Sequence, residues 1–272
     1  MEEINVNTWE EFIEQLEDLH KKREDTKSAS SLSVSNFLFR GHSNSIWKLE
    51  TTLERFVHIT MSLLQYYRII HTSISRIETF TETSWDIPSL ENYEKWLSEE
   101  ANLFLDNLPA INYMTYLRHQ GFPSPLLDWT SSPYISGFFA FDKTNDEIPF
   151  VSIYVFCEYM GEGKEASSWE PNISVIGEYV KTHKRHFLQQ SRYTICSEKK
   201  DDELLYYACH ENIPKRDGRD QDHLWKFNIP TDERMKVLKL LDTLNINSFS
   251  LFGTEESLMD TIATREFLIN DR

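Results

Sequence analysis

The sequence predicts an α+β fold, a helix-rich N-terminal half packed on a mixed β-sheet. Apolar residues of the first half recur at three- and four-residue spacing, whereas the second half breaks into short β-type runs between turns. Composition agrees: Phe 17, Tyr 12 and Trp 7 in 272 residues can supply the buried area that a 40% apolar content leaves short.

Each element has its own signal. Thr8 and Glu11 form a capping-box pattern before a helix whose Trp9, Phe12, Ile13, Leu16 and Leu19 share one face. Lys21, Lys22 and Arg23 then fall in its last turn, and Asp25 to Ser35 reads as a serine-rich linker. Asn36 to Gly41 is an aromatic strand stopped by a glycine. A helical stretch from Leu53 to Phe80 breaks near Trp85–Pro88, and Ser89 caps a helix carrying Leu90, Tyr93, Leu97, Ala101, Phe104 and Leu108. Tyr113, Tyr116 and Leu117 mark a shorter helix ending at Gly121. Leu126 to Trp129 is a strand, and Pro133 opens a helix to Phe141. Further strands are expected at Phe150–Phe156, Phe187–Cys196, Leu224–Ile229 and Ser248–Phe252. Thr231 should cap a helix bearing Met235, Leu238, Leu241 and Leu244, and Glu255–Thr264 a last one. The reading is one domain over 1–272: an N-terminal helix and linker (1–35), a helical part (36–145) and a mostly β part (146–272).

Several functional classes drop out. Asp+Glu 44 against Lys+Arg 28 gives a net charge of −16, which opposes a broad duplex-DNA surface built on phosphate contacts. No apolar run reaches the ~18–20 residues of a membrane span, and the acidic start MEEINVNTWEEF carries no export signal. Cys157, Cys196 and Cys209 are dispersed, so neither a disulfide frame nor a cysteine zinc site is expected and a cytoplasmic location fits. The eight glycines build no dinucleotide fingerprint and no P-loop. His183 and His186 sit at helical spacing without a carboxylate third ligand, so no metal is expected. Lys181, Lys184 and Arg185 read as a solvated basic face that could accept one strand of RNA.

Three residues carry chemistry. Arg40, at the end of an apolar strand, is never neutralised; it either bonds backbone carbonyls or grips an anion with its planar fork. Asp128, between Leu127 and Trp129, is expected to be buried and to need a cationic partner, Arg40 or Arg55. His119, beside a turn, is either a structural histidine bonded to backbone or part of the same site.

Phe39-Arg40-Gly41-His42, with Trp47, Leu49 and Arg55 after it, resembles the opening of the FRG-domain family. His119-x-Gly121-Phe122-Pro123, Leu126-Leu127-Asp128-Trp129-Thr130-x-Ser132-Pro133 and Phe138-Phe139-Ala140 resemble its central block. Arg185, Gln189, Gln190, Tyr193 and Thr194 resemble its third block, and Leu224–Pro230 with Leu251-Phe252 its close. The chain departs from that pattern at His42 and Arg118 (Gln in the pattern), Pro125 (Arg) and Ser191 (Gly). Pro125 cannot bind an anion as an arginine would, and Arg118 takes over that role only if it faces the same cavity.

The motif order is in turn similar to ADP-ribosyltransferase folds with a split sheet. That likeness implies NAD as substrate, no metal, and one pocket surrounded by Arg40, His119, Asp128, Thr130 and Gln189. Arg40, Gly41, Arg55, His119, Asp128, Thr130 and Ser131 would bind the nucleotide. Arg40 would hold the diphosphate, Thr130 and Ser131 the ribose, and Gln189 would lie nearest the scissile bond; Arg40, Thr130 and Gln189 are thus the expected catalytic set. The implied function is an NAD-consuming transferase or glycohydrolase acting in a bacterial cell as a toxin or antiphage effector, with a protein or RNA target. Because a Gln is no general base and no Glu-x-Glu stands at the third block, a non-catalytic nucleotide- or partner-binding module is the alternative.

Overall fold

The computed structural model describes residues 1–29, 34–99, 105, 107–145, 147–160, 164, 169–176, 180–181, 184–213 and 221–269. In chain order these form β1 (Glu2–Asn5), α1 (Trp9–Ala29), β2 (Leu38–His42), α2 (Thr52–Val57), α3 (Leu63–Thr81), α4 (Leu90–Ser98), α5 (Ile111–His119), β3 (Leu127–Thr130) and α6 (Pro133–Phe141). Then come β4 (Phe150–Tyr159), β5 (Asn172–Ile176), α7 (Lys184–Leu188), β6 (Ser191–Lys199), β7 (Leu205–Tyr207), β8 (Gln221–Pro230), α8 (Arg234–Thr243), α9 (Ser248–Phe252) and α10 (Glu255–Thr264). The fold is α+β on a mixed sheet, as the sequence predicts. Among the described residues no helix is long and apolar enough to cross a membrane.

The sheet follows the order β1-β8-β4-β2-β3-β6-β5, with β7 also on β6. Every pairing is antiparallel except β1 on β8. Alternation along β4 sends Val151, Ile153, Val155 and Cys157 to one core, with Trp225, Phe227 and Ile229 of β8 and the apolar sides of α1, α6 and α8. A second core packs α3, α4 and α5 against Tyr193 and Ile195 of β6. Between β2 and β3 the described ladder has a single rung, Phe39 opposite Thr130. The sheet is continuous along its path, but its two halves meet at that one pair.

Two glycines let helices approach closely. A Cβ on Gly41 would lie 2.0 Å from the Ser136 carbonyl oxygen and 2.6 Å from the Ala140 nitrogen, so only glycine lets α6 press on β2 there. A Cβ on Gly137 would lie 2.6 Å from the Trp9 ring, which seats α1 on α6.

Several sequence expectations need correction. The first helix runs to Ala29, through much of the expected linker, so its last turn holds Lys27 rather than Lys21, Lys22 and Arg23. The stretch Leu53–Phe80 divides into α2 and α3 because Thr51–Glu54 and Ser62–Gln65 form separate capping boxes. The helix opened by Ser89 ends at Ser98; Ala101 and Phe104 lie outside the described residues. Phe187 and Leu188 belong to α7, and the strand starts only at Ser191. Thr231 makes no capping bond, since a short 3-10 turn precedes α8. Ser248–Phe252 is helix rather than strand, because Asn247 and Ser250 cap it reciprocally and Gly253, at φ +62°, closes it.

Candidate functional site

A cleft of about 370 Å³ opens beside the β2–β3 seam, in the size range of small-molecule sites. Strand β2 supplies Arg40, Gly41 and His42, and β3 supplies Asp128, Trp129 and Thr130. Arg55 comes from α2, Arg118 and His119 from the end of α5, Phe139 from α6, Arg185 from α7 and Phe252 from α9. Gln189 and Ser191 flank the turn into β6. Arg40, His119, Asp128, Thr130 and Gln189 therefore line one cavity. Of the expected nucleotide contacts, Ser131 is exposed and is not among the lining residues; its backbone N–H donates to the Gln190 carbonyl at 3.1 Å. Gln189 stands in the turn after α7, not on a strand.

Arg40 is held from two sides. Its Nε donates to His42 Nε2 at 3.1 Å and its Nη1 to the Asp128 carbonyl at 2.7 Å. The second bond crosses the seam one residue beyond the last paired rung. Burial, then repulsion from Arg118 and Arg55, draws the Arg40 guanidinium down to about 10, with Asp128 opposing; it stays charged at neutral pH. Burial and the Arg40 charge push His42 down to about 3, so a neutral imidazole accepts the Arg40 proton. A glutamine oxygen could accept the same bond.

The partner of Asp128 differs from expectation. Its Oδ2 accepts from Arg118 Nη2, while Arg40 binds its backbone carbonyl and Arg55 does not reach it. The reason is the turn between consecutive elements: Arg118 lies in the last turn of α5, Asp128 lies ten residues on in β3, and the direction of the connection decides which arginine meets the carboxylate. Asp128 keeps 34% of its side-chain exposure, so it is half-buried rather than fully enclosed. Arg118 faces the cavity, and Pro125 is buried away from it.

Other contacts stiffen the walls. Thr130 Oγ1 accepts from the Ser132 N–H at 3.1 Å, and Gln189 Nε2 donates to the Leu251 carbonyl at 3.3 Å. Arg185 lies 5.4 Å over the Phe252 ring, whose edge meets Phe139 at 6.2 Å between centroids. Arg185 is thus a wall of the cleft and not part of a solvated basic face; its place four residues before Gln189 is the signal in the sequence that could have shown this. Behind the cleft, the buried Tyr193 hydroxyl lies 2.8 Å from His119 Nε2 and 3.0 Å from His186 Nδ1. His183 lies outside the described residues, among which no group of three or more His, Cys, Asp or Glu is placed to hold a metal.

The lining thus contains four arginines and a single carboxylate, already paired, together with the flat surfaces of Trp47, Phe139 and Phe252. Fixed guanidiniums beside aromatic faces can hold a phosphorylated ligand that carries a planar ring.

Residues 35–148 match the family model of the FRG domain. The match takes in Arg40, Arg55, Arg118, His119, Asp128, Thr130 and Phe139, whereas Arg185, Gln189, Ser191 and Phe252 complete the cleft from beyond it. No curated protein and no solved structure matches the chain at a significant level.

Proposed function

We propose, with the FRG match over 35–148 as premise, that the cleft binds NAD or a related nucleotide by its diphosphate and that the chain consumes NAD as an ADP-ribosyltransferase or glycohydrolase. One observation carries this reading: four arginines face the cavity against one carboxylate that Arg118 already neutralises. Two of Arg40's donors are spent on His42 and Asp128, which fixes the plane of the guanidinium and leaves Nη2 for an anion. Thr130 uses a lone pair on Ser132 and keeps its own proton to donate to a ribose hydroxyl. The Gln189 amide is oriented by Leu251, and a fixed carbonyl dipole of this kind stabilises positive charge developing on a ribose as nicotinamide leaves.

NAD consumption inside a bacterial cell would make the chain a toxin or an antiphage effector. The test is nicotinamide release from NAD by the purified protein, with Arg40→Lys as the comparison. Release by the wild type and none by the variant is the expected result; no release from NAD that demonstrably binds would refute the enzymatic reading.

A specific observation favours a second reading, a nucleotide-sensing module without catalysis. Asp128 is engaged with Arg118, so no lining carboxylate is free to act as a base.

A further inference from the structure

We propose that the nucleotide this cleft prefers carries a phosphate monoester in addition to its diphosphate, and that Arg55 receives it. The inference rests on the nucleotide reading above and goes beyond it to the class of ligand.

The argument is one of charge matching. In the whole chain acids outnumber bases, 44 to 28, yet the cleft holds four arginines and one aspartate, an excess of three positive charges. A diphosphate brings about two negative charges, which leaves positive charge unmatched with or without an oxidised nicotinamide ring. Adding a phosphate monoester, with about −1.5 to −2 charges at neutral pH, closes the remaining gap.

Arg55 is the arginine positioned for that group. Arg118 is paired with Asp128, Arg40 is tethered to His42 and the Asp128 carbonyl, and Arg185 is stacked on Phe252. Arg55 is exposed on α2 at the edge of the cleft, and its guanidinium makes no hydrogen bond or ion pair among the described residues. Arg55 lines the same cleft as Arg40 and His42 and adds its positive charge to theirs, a repulsion that a bound anion would relieve.

Calorimetric titration with ADP-ribose and with ADP-ribose 2′-phosphate tests this. The phosphorylated ligand is expected to bind about tenfold tighter or more, with a steeper loss of affinity in salt. Arg55→Ala should bring the two affinities to within about twofold. Equal affinities in the wild type overturn the inference and leave the nucleotide reading standing. A preference that survives Arg55→Ala overturns the role of Arg55. If neither ligand binds, the nucleotide reading falls and takes the inference with it.

Discussion

Arg40 and Asp128 are joined through a backbone carbonyl, at 2.7 Å, where the β2–β3 ladder ends. A side chain here supplies the bond that the neighbouring strand does not. The guanidinium is thus both a clasp between the halves of the sheet and a cation facing the cleft. Arg118, on the carboxylate of the same aspartate, gives the cleft a second clasp.

Arg40→Lys should fold and lose ligand affinity. Lysine keeps the charge but cannot bond His42 and the Asp128 carbonyl while presenting a planar edge, so about 1.5–3 kcal/mol of charge-assisted hydrogen bonding is at stake. Circular dichroism and thermal unfolding check the fold, and titration with ADP-ribose checks the site. Full affinity in a stable Arg40→Lys protein would reduce Arg40 to a clasp.

Arg118→Ala should cost about 1–3 kcal/mol in urea unfolding. Removing the partner of a fully buried carboxylate costs about 3–5 kcal/mol. Asp128 keeps 34% of its side-chain exposure, so water repays part of that loss. Asp128→Asn added to Arg118→Ala should recover stability, because no charge then lacks a partner. A double variant less stable than the single one would contradict the ion-pair account.

His42 makes the protein acid-sensitive. Its folded-state value is depressed to about 3, so below its unfolded value of 6.5 the unfolded chain binds a proton that the folded chain refuses. Its contribution is complete above pH 6.5 and is lost as the pH falls towards 3. Between pH 7 and pH 5 this one group should cost about 2 kcal/mol. His42→Gln keeps an acceptor for Arg40 and removes the titration, so its stability should fall less over that interval. His210, buried and also pushed to about 3, adds a parallel loss that the variant retains. Equal slopes for wild type and variant would show that His42 is not a neutral buried acceptor.

Tyr193 links two imidazoles through one hydroxyl proton. That proton can be given to His119 Nε2 or to His186 Nδ1 but not to both, so the other nitrogen must donate. Protonation of His186 obliges the hydroxyl to turn towards His119, which must then accept. Imidazole nitrogen NMR should show His119 changing tautomer as His186 titrates, and Tyr193→Phe should abolish the linked change. Asp128, Arg118 and Arg192 also act on Tyr193, so the titration is best followed at constant ionic strength. Independent titration in the wild type would break the linkage.

The parts of this fold legible in the sequence have local punctuation. Gly121 ends α5 at φ +84°, Pro133 starts α6, and β4 and β8 announce themselves by apolar runs. The parts that are not legible depend on distant partners. The segment Glu2–Asn5 is polar and becomes a strand only beside Trp225–Asn228. The short strands β5 and β7 exist because β6 offers them an edge. At the site, Arg40, His119, Asp128, Thr130 and Gln189 can be proposed from motif order, but the pairing of Arg118 with Asp128 cannot. The two lie ten residues apart on consecutive elements, yet their own neighbours do not state which way the α5–β3 connection turns. Arg185 misleads when it is read with two lysines; its spacing to Gln189 is the cue, and in the fold it stacks on Phe252 of α9.

The parallel pairing of β1 with β8 also sets an order of assembly. Residues 2–5 lie on residues 225–228, and Phe12 meets Phe227 at 5.2 Å, so β1 and α1 wait for a strand synthesised well after them. Until β8 leaves the ribosome, Trp9 can rest on Tyr134 and Phe141 of α6, but Phe12 lacks Phe227. Closing so long a loop is slow relative to local helix formation, so this part of the core is completed late. Truncation before residue 221 should therefore yield chains that aggregate through α1, whereas the β3–β6 half, built from closer neighbours, can pair without waiting.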